Sequence, residues 1–158
     1  MENVRRLFVV GKKLFIAGCV IKTFTLYGFD VWLLTEKSME PTLTDGEIVL
    51  CCPSGRLNLY NLSRGDIVIA RNPTEPRENI CKRIVGIAGD RVPSNHTGLE
   101  AFVPAGRIWL QGDNLSDSRD SRSFGSIPIG LVRGKLICRV WPIDFNQPKL
   151  SHSISSSS

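Results

Sequence analysis

A chain of 158 residues, 42% apolar and 22% charged, holds one compact domain of ordinary size plus a short appended segment. That near-average composition excludes wholesale disorder and a multi-span membrane protein. The formal charge of +5 comes from 20 scattered basic residues with no Lys/Arg-rich arm, so no nucleic-acid partner is expected.

The N-terminus alternates apolar blocks with basic residues: Arg5 and Arg6, LFVVG, Lys12 and Lys13, LFIAGCVI, Lys22, then TFTLYGFDVWLL. Residues 14–34 match the length of about 20 that a helix needs to cross a hydrocarbon core. Lys22 and Asp30 fall inside that window, and each costs about 2.5 to 3.5 kcal/mol at mid-membrane unless it faces protein or snorkels. The segment therefore reads as a spanning helix, as an amphipathic helix packed on the domain or a bilayer surface, or as a cleaved targeting peptide, although no A-x-A-like site follows it.

After residue 37 the pattern changes to short β-like runs: EIVLC at 47–51, DIVIA at 66–70, ICKRIVGI at 80–87, RIWL at 107–110 and KLICRVW at 135–141. Turn residues such as Asp45-Gly46, Arg64-Gly65, Asn72-Pro73, Gly89-Asp90 and Gly112-Asp113 separate them. A mainly β fold of meander or barrel type follows. Residues 151–158 are low-complexity, serine-rich sequence, which predicts a solvated tail.

The five cysteines are odd in number, without CxxC or a paired His spacing, which argues against a disulfide framework and a zinc site. No metal and no cofactor is expected, and Cys51 and Cys52 read as ordinary thiols. His96 in a polar loop and His152 in the tail are not placed for catalysis.

Three segments carry candidate chemistry. In Ser38-Met39-Glu40-Pro41-Thr42, Pro41 drives the backbone of Glu40 away from the helical region, so Ser38 is either a plain turn serine or a nucleophile on a stiff corner. In the run Ile80 to Val85, period-two alternation places Lys82 with Ile80 and Ile84, and Arg83 on the other face with Cys81 and Val85. Burial disfavours the charged ammonium, and a lysine must lose its charge to act as a general base; the alternative is an edge-strand lysine snorkelling to water. The stretch from Gly112 to Gly125 is dense in Asp, Ser and Arg, and reads as a hydrophilic loop or as the supporting shell of a catalytic amine.

With Gly65-Asp66-Ile67-Val68 between them, these pieces resemble, in order and spacing, the boxes of the type I signal peptidases, membrane-bound Ser-Lys proteases. The likeness covers about residues 14 to 142. Within that family, Asn79 to Arg83 and the ending Gly130 to Pro142 are most similar to the mitochondrial inner-membrane members. The resemblance implies a signal-peptidase-like β-barrel catalytic domain with one N-terminal membrane-anchoring helix. Its implied division is residues 1–35 as anchor, 36–145 as catalytic domain and 146–158 as tail.

It further implies that Ser38 is the nucleophile and Lys82 its general base, with Ser118 hydrogen-bonded to the Lys82 amine, Asp120 and Arg122 paired to brace the loop, and Met39 in support. The Ser38 main-chain N–H would serve the oxyanion. Glu36 stands where bacterial relatives carry a serine that supplies a second donor. The implied partners are presequence-bearing precursors, a second peptidase subunit forming a heterodimer, and the lipid bilayer. The implied location is the mitochondrial inner membrane, with the domain facing the intermembrane space. The competing readings are a bacterial or plastid signal peptidase and a non-catalytic scaffold subunit.

Overall fold

A computed structural model describes Gly18, Lys22 and residues 28–93 and 100–142. His96, His152, the serine-rich tail and most of the N-terminal apolar segment lie outside the described residues. Within them the fold is mainly β, as the pattern of short Val- and Ile-rich runs predicts. Nine strands form: β1 (Asp30–Leu33), β2 (Ile48–Pro53), β3 (Ile67–Arg71), β4 (Asn79–Gly86), β5 (Arg91–Pro93), β6 (Glu100–Phe102), β7 (Arg107–Gln111), β8 (Ile127–Pro128) and β9 (Val132–Trp141). A single helical turn, α1 (Ser121–Phe124), precedes β8.

Seven strands make one antiparallel sheet in the order β1-β2-β9-β3-β4-β7-β8, while β5 and β6 form a separate ribbon. The sheet does not pair β1 with β8, so the β-barrel expected takes the form of a curled, open half-barrel. Alternation splits the apolar side chains between its faces. Val49, Cys51, Ile67, Ile69, Cys81 and Leu136 gather with Met39 and Leu43 in one cluster. Val68, Ala70, Ile80, Ile84, Ile108 and Leu110 form a second. Long β9 joins the two halves by pairing with β2 on one side and β3 on the other.

The strands foreseen at 47–51, 66–70, 80–87, 107–110 and 135–141 correspond to β2, β3, β4, β7 and β9. One expectation is corrected. Asp30–Leu33 was counted into the apolar window of residues 14–34, yet it is a strand registered against β2, with Asp30 opposite Cys51 and Leu33 opposite Ile48. The main-chain bonds of an antiparallel ladder outweigh the helical continuation here. The window cannot be one helix throughout, and the sheet begins upstream of residue 36. Asp30 also drops out of any membrane-crossing stretch. Among the described residues no helix is long and apolar enough to cross a membrane.

Candidate active site

Ser38 lies in the single 3-10 turn Lys37–Met39 between β1 and β2. The next residue, Met39, is buried in the first cluster with Leu43, and Leu43 N donates to Met39 O at 2.9 Å, so the turn is pinned from behind. Glu40 is extended (φ −64°, ψ 144°), the region a following proline imposes. The chain therefore leaves the turn sharply, and Ser38 stays at the corner.

Lys82 comes from the middle of β4 and is 1% exposed. Its neighbours two residues away, Ile80 and Ile84, belong to the second cluster, which is the alternation the sequence predicts. Its Nζ donates to Ser38 Oγ at 2.5 Å. Residues 44 positions apart in the chain thus bring an amine and a hydroxyl into direct contact.

A loop after β7 closes on the same turn. Asn114 N donates to Ser38 O at 3.0 Å, and Asn114 Nδ2 donates to Lys37 O at 3.2 Å. Gly112 is required for this approach: a Cβ there would run into Ser118 Oγ and come within 2.5 Å of the Ser38 carbonyl oxygen.

Asp120 is fully buried and organises the loop. It accepts from Arg122 Nε and Nη2, both at 2.9 Å, from Gly112 N at 3.0 Å and from Arg122 N at 3.1 Å. Burial alone would push its carboxyl up, but the hydrogen bonds from Arg122, Gly112 and Ser118 outweigh burial and hold it below the ordinary carboxylate range. The Arg122 guanidinium is raised in turn, chiefly by its hydrogen bond to Asp120.

The pairing of Asp120 with Arg122 is the one expected. The partner of Ser118 is not: its hydroxyl donates to Asp120 Oδ2 at 2.7 Å, whereas the side-chain contacts of the Lys82 amine are Ser38 and Glu36. A hydroxyl carries one proton, and the ionised carboxylate two residues on takes it.

Two contributions escaped the linear reading. Arg83, on the opposite face of β4 from Lys82, makes a two-pronged contact with Asp113 (2.8 and 2.6 Å) and donates to Gly65 O at 2.8 Å. Thr42 Oγ1 donates to the same Asp113 at 2.5 Å. This clamp ties β4, the loop before β3, the loop after β7 and the segment after Ser38 into one block. Only the alternation of Arg83 against Lys82 hinted at it.

The second is Glu36, noted in the sequence merely as a departure from serine. Its Oε2 lies 3.3 Å from Lys82 Nζ and accepts from Ser38 Oγ at 3.2 Å. Two depressions share Glu36 and Ile80 as walls, and Ser38 and Lys82 line the polar one. One is largely apolar, walled by Trp32, Leu34, Met39 and Ile80; the other is polar, walled by Glu75, Glu78, Asp117 and Arg119. Among the described residues no cluster of ligating side chains suits a metal ion.

Comparison with known proteins identifies the family of the chain. The family model "signal peptidase, peptidase S26" matches residues 7–101 and 93–141. The human mitochondrial inner membrane protease subunit 1 is 42% identical over 130 residues, which covers 80% of this chain and 78% of that protein. The mitochondrial inner membrane protease subunit 2 of Saccharomyces cerevisiae is 41% identical over 113 residues, covering 66% of this chain and 64% of its own. A crystal structure of a signal peptidase I from Enterococcus faecalis is similar with a TM-score of 0.42 and 22% identity, covering 49% of this chain and 97% of that one. The family match and the relatives extend over most of the sequence, and the chain belongs to the signal peptidase, peptidase S26, family.

Proposed function

We propose that this chain is a serine endopeptidase working through a Ser38–Lys82 dyad, which removes sorting presequences from proteins delivered to the mitochondrial intermembrane space. The observation that carries the reading is the 2.5 Å contact between a buried amine and a serine hydroxyl that both line the polar depression. A neutral Lys82 accepts the Ser38 proton as Oγ attacks the scissile carbonyl carbon, and then returns that proton to the leaving amine. Water repeats the cycle on the acyl-enzyme. The Ser38 main-chain N–H serves the developing oxyanion. Ser118, Asp120 and Arg122 act at one remove, holding the Gly112–Asn114 loop against the main chain of the nucleophile.

The cellular setting rests on the relatives. Relatives that cover most of the chain are named mitochondrial inner membrane protease subunit 1, which supports an inner-membrane location; a sheet domain facing the intermembrane space is part of the proposal. Relatives in Saccharomyces cerevisiae carry the names subunit 1 and subunit 2, which supports a second, related subunit as partner. The test incubates mitochondrial membranes carrying this chain, or its Ser38→Ala variant, with radiolabelled intermembrane-space precursors. The parent is expected to yield mature-sized product and the variant none. Equal processing by both refutes the assignment.

A further inference from the structure

One carboxylate oxygen of Glu36 touches both members of the dyad, 3.3 Å from Lys82 Nζ and 3.2 Å from Ser38 Oγ. Among the described residues Glu36 is the carboxylate partner of that amine; Glu75, Glu78 and Asp117, with the cations Lys37 and Arg119, line the same depression without an ion pair to Lys82. Burial is uneven across the pair: the lysine side chain is 1% exposed and the Glu36 side chain 46%. Glu36 also borders both depressions. An extended polypeptide passing over Ser38 would therefore cover it.

We propose that Glu36 is a substrate-released catch on the dyad, an inference that rests on the Ser-Lys reading above. In the free enzyme its carboxylate stabilises Lys82 as an ammonium, which has three N–H donors and no lone pair with which to take a proton from Ser38. Water around the exposed half of Glu36 keeps the charge pair intact. A peptide laid across the cleft strips that water, and loss of solvent penalises two charges far more than the neutral pair.

The proton then passes from Nζ to Oε2, leaving an amine and a carboxylic acid, with no other species gained or lost. The freed lone pair accepts the Ser38 proton while Oγ bonds to the carbonyl carbon and the C=O π electrons move onto oxygen. Expulsion of the leaving nitrogen breaks the C–N bond and takes the proton from Nζ. Water then bonds to the acyl carbon as Nζ takes its proton, the C–Oγ bond breaks and Oγ takes that proton from Nζ; when the acid product departs and bulk water returns, Oε2 hands its proton back to Lys82. The nucleophile is thus silent toward small electrophiles and active toward a chain that fills the cleft.

The experiment compares two reactions of the parent and of Glu36→Gln: phosphonylation of Ser38 by a small alkyl phosphonofluoridate, which leaves the cleft open, and cleavage of a presequence peptide, which fills it. An opposite charge within about 4 to 6 Å moves a protonation equilibrium by about one to three decades, so the ratio of phosphonylation rate to peptide kcat/KM should rise about tenfold or more in the variant. An unchanged or lower ratio overturns the catch. Ser38→Ala and Lys82→Met are run beside them. If both are inert while Glu36→Gln shows no gain, the catch alone fails; if Lys82→Met is phosphonylated at Ser38 like the parent, or if either variant cleaves peptide like the parent, the dyad itself fails.

Discussion

At the scale of single residues, the 2.5 Å contact puts Ser38 and Lys82 within reach of direct proton transfer, and the proposed dyad has them act as one unit. Ser38→Ala and Lys82→Ala should each lower the rate of processing by about 10⁴-fold or more, with the double variant scarcely worse, because groups acting together are not additive. Single-turnover assays on membrane-inserted protein read this directly. Lys82→Met keeps the length of the side chain but removes the amine from a site walled by Ile80 and Ile84. It should be inactive while the protein stays folded, and retention of near-parental processing would remove the lysine from the dyad.

Asp120 gives a different signature. Its carboxyl is depressed in the folded state, so its contribution to stability is present above the unfolded value of about 4 and disappears as pH falls through the folded one. Asp120→Asn should cost about 3 kcal/mol near neutral pH, since Arg122 loses its charged partner. That difference should shrink in thermal melts taken progressively below about pH 4.

At the scale of elements, two segments meet on one turn: β4 delivers the amine, and the loop after β7 holds the main chain of residues 37 and 38. Gly112→Ala tests how tightly this is held. The added carbon collides with the Ser38 carbonyl and the Ser118 hydroxyl, and since one obstacle is backbone, the loop and the turn holding Ser38 must move apart. A displacement of about 1 Å costs about 10²-fold in rate, so kcat should fall by that order while circular dichroism stays unchanged.

The strands also dictate thiol behaviour. Cys51 and Cys81 face the first cluster, and burial pushes both thiols up to about 12, whereas Cys138 is exposed on β9. Brief alkylation of the folded protein at pH 8 should modify Cys138 and spare Cys51 and Cys81, because the thiolate is the reacting form. Mass spectrometry of the digest would show it.

At the scale of the whole molecule, β1 places the start of the sheet directly after the apolar N-terminal segment, so any anchor must be built from residues before Asp30. Residues 14–29 alone fall short of the about 20 that a spanning helix needs. The full chain should resist alkaline carbonate extraction of mitochondrial membranes. Recovery in the soluble fraction would favour a surface helix instead. Protease added to mitoplasts, but not to intact mitochondria, should remove the sheet domain.

Much of this architecture is written in local pattern. Alternation of Val and Ile with turn residues between runs is enough to specify β2, β3, β4, β7 and β9, because side-chain period and turn chemistry act over a few residues. Alternation likewise sets Lys82 on the apolar face shared with Ile80 and Ile84, and Pro41 makes a corner of the turn that holds Ser38. β1 is invisible at that range: DVWL continues an apolar run, and only a ladder partner at Ile48–Cys51 makes it a strand. The two-residue β8 is similarly defined by its partner β7.

The distance between Ser38 and Lys82, the capture of the Ser118 hydroxyl by Asp120, the Arg83–Asp113–Thr42 clamp and the position of Glu36 against both dyad groups were decided by the tertiary structure alone. Each is a contact between side chains brought together by curling of the sheet and closure of a loop. A side chain's hydrogen-bond partner depends on which competing donor or acceptor the fold brings nearest, and spacing along the chain carries no record of that.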